Sequence, residues 1–300
     1  MSGRFPAGRA GLNTVAFLPQ SPTTLREPAA SPIDRWAGAC TPLDLRHAMP
    51  KPSTSTLPYD LTGQRVLITG AAGGIGQATA RLCARLGAEL VLTDCVAPAP
   101  DFMEGLESGA GRQHSFAVCD VRSRAQVEKL CATDRPIDAA ILNAGIYPVT
   151  DWNADDWADQ LHEVMDVNVA GPAHFARALL PGMKARGYGR IAIVGSVAAY
   201  TGGTFSHSPV HYAASKGAIH TFTRWLARRA APEVMVNAVA PGAIATPMVA
   251  VADPATLKNV PVPRFGTPDE IAWPLAFLCS PGASFVCGAT LDVNGGSYMR

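Results

Sequence analysis

Tyr212 and Lys216 stand four residues apart in the run SPVHYAASKGAIHTF (208–222), with only Ala213, Ala214 and Ser215 between them. On a helix, side chains at i and i+4 share one face, so a phenol and an ammonium group would meet in one small volume. A free phenol ionises near pH ~10. A cation within a few ångströms favours the phenolate and brings the group towards the pH at which it can move protons for a reaction. The small residues around the pair, Gly217 included, would let that helix approach a ligand or a neighbouring helix closely. A lysine merely passing a half-buried tyrosine has the same spacing, so the surroundings must decide.

A second candidate lies upstream. The run TGAAGGIG (69–76) places Gly70, Gly74 and Gly76 between an apolar run and a helical pattern. Glycines there permit a tight turn and let backbone N–H groups reach a pyrophosphate at the positive end of a helix. An acid, Asp94, closes the next apolar run. This order of strand, glycine loop, helix, strand and acid is the context a dinucleotide site requires. Asp94 can accept hydrogen bonds from the adenosine ribose hydroxyls, and it would repel a 2′-phosphate. No Arg or Lys lies in the turn, and Cys95 and Val96 follow the acid. NAD is therefore expected over NADP.

These groups need a scaffold, and the chain supplies an alternating pattern. Short apolar runs at 65–70, 89–94, 115–120, 137–145, 190–196, 234–242 and 289–296 read as strands buried on both faces. Helical patterns fill the gaps at 76–87, 122–133, 154–186 (with Pro172 inside), 211–230 and 267–280. Strand alternating with helix predicts an α/β fold, a single doubly wound Rossmann-type domain over 60–300 with a parallel sheet of about seven strands.

The chain resembles the short-chain dehydrogenase/reductase family in its single-domain branch. The resemblance rests on TGAAGGIG at 69–76, CDV at 119–121, LNAG at 142–145, VNVAG at 167–171, VGS at 194–196, YAASK at 212–216 and PGAIAT at 241–246, all in the family's order. It implies Tyr212 as general acid/base, Lys216 as its partner, Ser196 on the substrate oxygen, and Asn168 fixing a water beside Lys216. It further implies Ile75 with the glycines at the cofactor, and Asp120 and Val121 facing the adenine. Asn143 would line the adenosine side, and Ile244 and Thr246 the nicotinamide amide and phosphates. Leu142 stands where many members have a first Asn, and the stretch between Ser196 and Tyr212 is about three residues longer than is common, within 200–211. Members usually pair through the helices at 154–184 and 211–230, which implies a homo-oligomer, tetramer or dimer.

Composition bounds the rest. The chain has 300 residues, 48% hydrophobic and 16% charged, with a net charge of +1. That balance offers no electrostatic attraction to nucleic acid or an acidic membrane, and no run approaches the ~20 apolar residues of a span. The seven cysteines are scattered without a C-x-x-C pair, which suits a reducing, cytoplasmic setting. Residues 1–59, rich in Pro and Ser, read as a disordered extension. His207 and His211 have a metal-like spacing, but Pro209 intervenes and no third ligand is evident; they are expected at the pocket mouth, and no metal is expected. Trp152, Trp157, Trp225 and Trp273 are expected to pack rather than to recognise a ligand.

The resulting expectation is an NAD-dependent enzyme interconverting a secondary alcohol and a ketone on a small-molecule substrate. RFGTPDEIA (264–272) and the DVNGG ending resemble 3-oxoacyl-ACP reductases, whereas the longer 200–211 loop is similar to sugar and polyol dehydrogenases. The alternative, a non-catalytic NAD-sensing or scaffold protein, commonly lacks the Tyr or the Lys, and here both are present.

Overall fold

The computed structural model describes residues 58–109, 111–149, 151–203, 208–249 and 254–300. The expected extension lies outside the described residues apart from its last two, as does His207. Seven strands form one sheet in the order β3-β2-β1-β4-β5-β6-β7: Arg65–Thr69, Glu89–Asp94, Ser115–Val118, Ala139–Leu142, Gly189–Val194, Val234–Pro241 and Thr290–Val293, numbered β1 to β7 along the chain. Every neighbouring pair is parallel. β1, β4 and β5 are apolar on both faces because helices cover both sides, and two separate buried clusters fill those layers. One holds Leu82, Leu92, Ile141 and Leu275; the other holds Leu67, Phe175, Ile191 and Ile219.

The chain runs outward from β1 through β2 to β3, then crosses to β4 and runs outward the other way. That reversal leaves a crevice at the carboxyl ends of β1 and β4, where such sheets bind ligands. Helix α1 (Gly74–Arg85) starts directly over it. Helix α2 (Pro100–Glu104) was not foreseen and is one short turn; α3 spans Arg124–Cys131.

The single helix expected over 154–186 is divided into α4 (Trp157–Met165), a π-helical turn (Asp166–Ala170) and α5 (Gly171–Ala185). Pro172 has no N–H to return to the Asn168 carbonyl four residues earlier, so the regular ladder cannot continue there. A further short helix, α6 (Ala198–Thr201), follows β5. Then come the long α7 (Val210–Ala230) and α8 (Pro268–Cys279), the latter opened by a Thr267–Glu270 capping box. The tryptophan expectation is corrected. Trp152, Trp225 and Trp273 are each at least half exposed, with Trp225 under the Arg229 guanidinium at 4.0 Å and Trp152 edge-on to Trp157 at 4.8 Å. A helical apolar period marks a face, not what that face meets.

Candidate active site

The glycine loop leaves β1 and turns into α1 with Gly73 as an N-cap that supplies no side-chain acceptor. Gly70 sits at φ +65°, and a Cβ on Gly76 would run into the Gly70 carbonyl. The loop can close this tightly only without side chains. The methyl carbon of Thr246 lies 2.9 Å from the point a Gly74 Cβ would occupy, so Thr246 covers the start of α1. Asn143 staples the loop from beneath, donating to the Thr69 and Gly70 carbonyls at 3.1 and 3.0 Å.

Asp94 ends β2 beside this loop. Its carboxylate accepts from Ala72 N at 3.0 Å and from Cys95 N at 2.8 Å, so it ties the second strand to the glycine turn. A carboxylate has about four acceptor positions, which leaves capacity for a ribose hydroxyl. Asp120 is held by Arg122, whose guanidinium keeps its carboxyl below the usual range. Val121 packs inward, its Cγ2 2.8 Å from where a Gly171 Cβ would be.

The other end of the crevice is a cavity of about 110 Å³ lined by Ile75, Asn143, Ser196, Tyr212 and Lys216, with Ile244 and Thr246 on the facing wall. Tyr212 and Lys216 project from the first turns of α7, and Ser196 from the end of β5. The Ser196 hydroxyl and the Tyr212 phenol line the same cavity, and Ser196 favours the phenolate. The Lys216 ammonium donates to the Val194 carbonyl at 2.9 Å and lies 5.6 Å from the Tyr212 ring centroid.

Lys216 is expected to favour the phenolate together with the positive ring of oxidised cofactor; in the protein alone burial prevails. Burial pushes Tyr212 up to about 12, with Ser196 pulling the other way and Tyr147 adding to the rise. Burial also pushes Lys216 down to about 8. In this setting desolvation outweighs the pair's mutual attraction.

Asn168 stands behind the cavity, 1% exposed. Its Oδ1 accepts from Ile146 N at 2.8 Å, and its Nδ2 donates to the Ile146 carbonyl and to Ser215 Oγ. These bonds hold the Asn168 side chain inward from the π turn. Its Oδ1 and Lys216 Nζ lie 3.2 and 3.5 Å from the point a Gly145 Cβ would fill, so both flank one small residue. Asp94, Asp120 and Val121 belong to the far end and do not line this cavity.

Two site residues were not singled out by the sequence. Tyr147 sets its ring edge-on to Tyr212 at 4.7 Å and donates to Ser208 Oγ at 3.1 Å. His220 lies beneath Ser196, and the same four-residue step that joins Tyr212 to Lys216 leads on to it. The expectation for His211 is corrected. It is 1% exposed, with neither ring nitrogen hydrogen-bonded, and Trp157 packs against it at 6.3 Å, away from any mouth. Among the described residues, no group of three His, Cys, Asp or Glu side chains could hold a metal ion.

A family model described as enoyl-(acyl carrier protein) reductase matches residues 70–298. The 3-oxoacyl-[acyl-carrier-protein] reductase of Vibrio cholerae is 36% identical over 250 residues, covering 80% of this chain and 99% of that one. A 3-oxoacyl-[acyl-carrier protein] reductase structure from Brucella melitensis, with bound NAD, has a TM-score of 0.73 at 35% identity, covering 85% of this chain and all of its own. A Beutenbergia cavernae structure described as an NAD(P)-dependent gluconate 5-dehydrogenase, with bound NADP, has a TM-score of 0.74 at 31% identity, covering 80% and 98%. The parallel sheet, the glycine loop over its switch point and these matches agree: the chain belongs to the short-chain dehydrogenase/reductase family and is an NAD(P)-dependent oxidoreductase acting on CH–OH groups.

Proposed function

We propose that the protein interconverts a secondary alcohol and a ketone with NAD as the preferred cofactor, Tyr212 serving as general acid/base. The observation that carries this reading is the meeting of the Ser196 hydroxyl, the Tyr212 phenol and the Lys216 ammonium at one cavity wall. Ser196 and Tyr212 line the same cavity, so a substrate oxygen placed between them would meet two hydroxyl groups. In oxidation Tyr212 takes the alcohol proton, and in reduction it returns a proton to the nascent alkoxide. Ser196 steadies the charge on that oxygen. Asn168 holds the Ile146 backbone and Ser215 behind them, so the floor of the site is fixed before substrate arrives.

The nicotinamide supplies the hydride chemistry when bound, and its oxidised ring brings a positive charge. The residues present fit such a cofactor: the side-chain-free loop at 70–76, Thr246 over the start of α1, and Asp94 at the ribose position. Gly70, Gly74, Ile75, Gly76 and Thr246 would hold the phosphates, Asn143, Asp120 and Val121 the adenosine side, and Ile244 the nicotinamide amide. Asp94 supports NAD over NADP by charge alone.

The longer stretch between Ser196 and Tyr212 supports a compact polar hydroxy compound, of sugar or polyol type; the Vibrio cholerae relative supports a 3-hydroxyacyl thioester. The reading further takes residues 60–300 as the catalytic domain of a cytoplasmic homo-oligomer, tetramer or dimer. No helix among the described residues is long and apolar enough to cross a membrane. The test is a screen for reduced nicotinamide absorbance over sugars, polyols and hydroxyacyl thioesters, with NAD and NADP in parallel. Turnover of a secondary alcohol with NAD is expected. No turnover of any, alongside intact NAD binding, would favour the non-catalytic alternative.

A further inference from the structure

We propose that His220 is a positioning residue for Ser196: its imidazole accepts the Ser196 backbone N–H and so sets where the Ser196 hydroxyl meets Tyr212. The inference rests on the role proposed above for Ser196.

The loop after β5 makes this need visible. Gly195 N donates to the Val239 carbonyl at 2.8 Å and Val197 N to the Pro241 carbonyl at 2.9 Å, both towards β6. Successive N–H groups along extended chain point to opposite sides, so the Ser196 N–H faces away from β6. On that side β4 has ended, its last pair with β5 being Leu142 with Ile193. The donor would be buried and unpaired, at a cost of roughly 1–3 kcal/mol. His220 Nε2 takes it at 3.4 Å. Both partners are buried, Ser196 7% exposed and His220 2%. A Cβ on residue 195 would overlap His220 Nε2 and lie 2.7 Å from Cδ2, so Gly195 is what admits the ring.

An accepting Nε2 requires the neutral ring, with its proton on Nδ1. The surroundings favour the neutral ring, while Nδ1 is buried with no hydrogen-bond partner of its own. From its own helix Lys216 and Arg224 disfavour the imidazolium, as does Arg300 from the segment after β7, while Asp292 on β7 opposes them. Burial is the largest influence, and together they push the group down to about 4. Tyr200 of α6 lies against the imidazole at 4.7 Å, and Tyr298 stacks on Tyr200 at 4.6 Å. Arg300 sits over the same ring at 4.9 Å and pairs with Asp292 at 2.8 Å. Residues 298–300 thus reach His220 through Tyr200, and one hydrogen bond leads from His220 to Ser196.

The experiment compares wild type with His220→Leu, His220→Gln and Arg300→Met on the alcohol that wild type oxidises with NAD. His220→Leu keeps apolar volume but no acceptor, and its kcat is expected to fall roughly 10- to 100-fold, the scale of a misplaced catalytic group, with NADH affinity by fluorescence within about threefold. His220→Gln returns an oxygen acceptor and is expected to recover most of that loss, which a purely packing role would not allow. Protonation of His220 removes its acceptor, so activity falls as pH drops through its ionisation. Arg300→Met removes a cation and frees Asp292, so the acid limb of kcat should move to higher pH while circular dichroism reports an intact fold. Wild-type kcat in His220→Leu, or a loss that Gln does not rescue, overturns the proposal. If the Leu variant does not fold, an unmoved acid limb in Arg300→Met overturns it alone. A wild type that oxidises no alcohol would instead remove the reading beneath it.

Discussion

The two ends of the crevice are built on opposite terms. The nucleotide end works by leaving side chains out: Gly70 and Gly76 close a turn that a methyl group would block, and in the proposed role backbone amides would face the cofactor. The other end works by burying polar side chains that water would otherwise prefer, Lys216, Asn168 and Ser196 among them, with Tyr212 half-buried beside them. The difference teaches how each should fail. Adding atoms ruins the first, and removing single atoms ruins the second.

The largest expected effect is at the second end. Tyr212→Phe removes one oxygen and should lower kcat by about 10²–10⁴, the usual worth of a positioned acid/base, while NADH binding by fluorescence titration stays within a few-fold of wild type. At the first end, Gly76→Ala drives a Cβ into the Gly70 carbonyl. Overpacking of that kind costs about 1–3 kcal/mol or more, and calorimetry should register weaker NAD binding together with a lower Tm. Equal loss of cofactor affinity in both variants would erase the contrast.

Asn168→Ala lies between the two, since it strands the Ile146 backbone groups and Ser215. About 1–3 kcal/mol of stability should go, read by denaturant unfolding, with a fall in kcat and little change in NADH affinity. Asp94→Ala should bring the NAD-to-NADP ratio of kcat/KM down by roughly tenfold, the scale of one partly solvated like-charge contact. An unchanged ratio would leave the cofactor preference without a cause.

A last effect, read without turnover, is in stability against pH. Lys216 is depressed in the folded protein to about 8 from 10.5, so between those values the unfolded chain binds the extra proton. Stability therefore rises with pH across that window, and the cost of the buried ammonium is fully present below it. Lys216→Met should be more stable than wild type below about pH 8, with the advantage fading as pH nears 10.5. A constant difference across the window would count against a charged, desolvated Lys216.

The nucleotide end was largely legible because its signals are local. Glu89–Asp94 stands as the strand expected there, and the glycine turn sits between strand and helix as its spacing implies. The catalytic end was legible in residue type, with Tyr212, Lys216 and Ser196 lining one cavity. Its supports were not, because they are tertiary. The inward set of the Asn168 side chain depends on Ile146, 22 residues earlier. His220 accepts from Ser196, 24 residues back, and carries no pattern except a second four-residue step along α7. His211 was misjudged because a helical spacing does not say which side of the helix is inside.

One titration bears most directly on the whole account. The protein's own groups hold Tyr212 up at about 12, so the proposed chemistry depends on the positive ring of oxidised cofactor to bring the phenol within working range. Tyrosinate absorbance of wild type minus Tyr212→Phe, followed against pH with and without saturating NAD, isolates that one phenol. The account predicts no Tyr212 ionisation below about pH 11 alone and a clear downward move towards neutrality with NAD. A Tyr212 titration that stays in place when NAD is bound would contradict it.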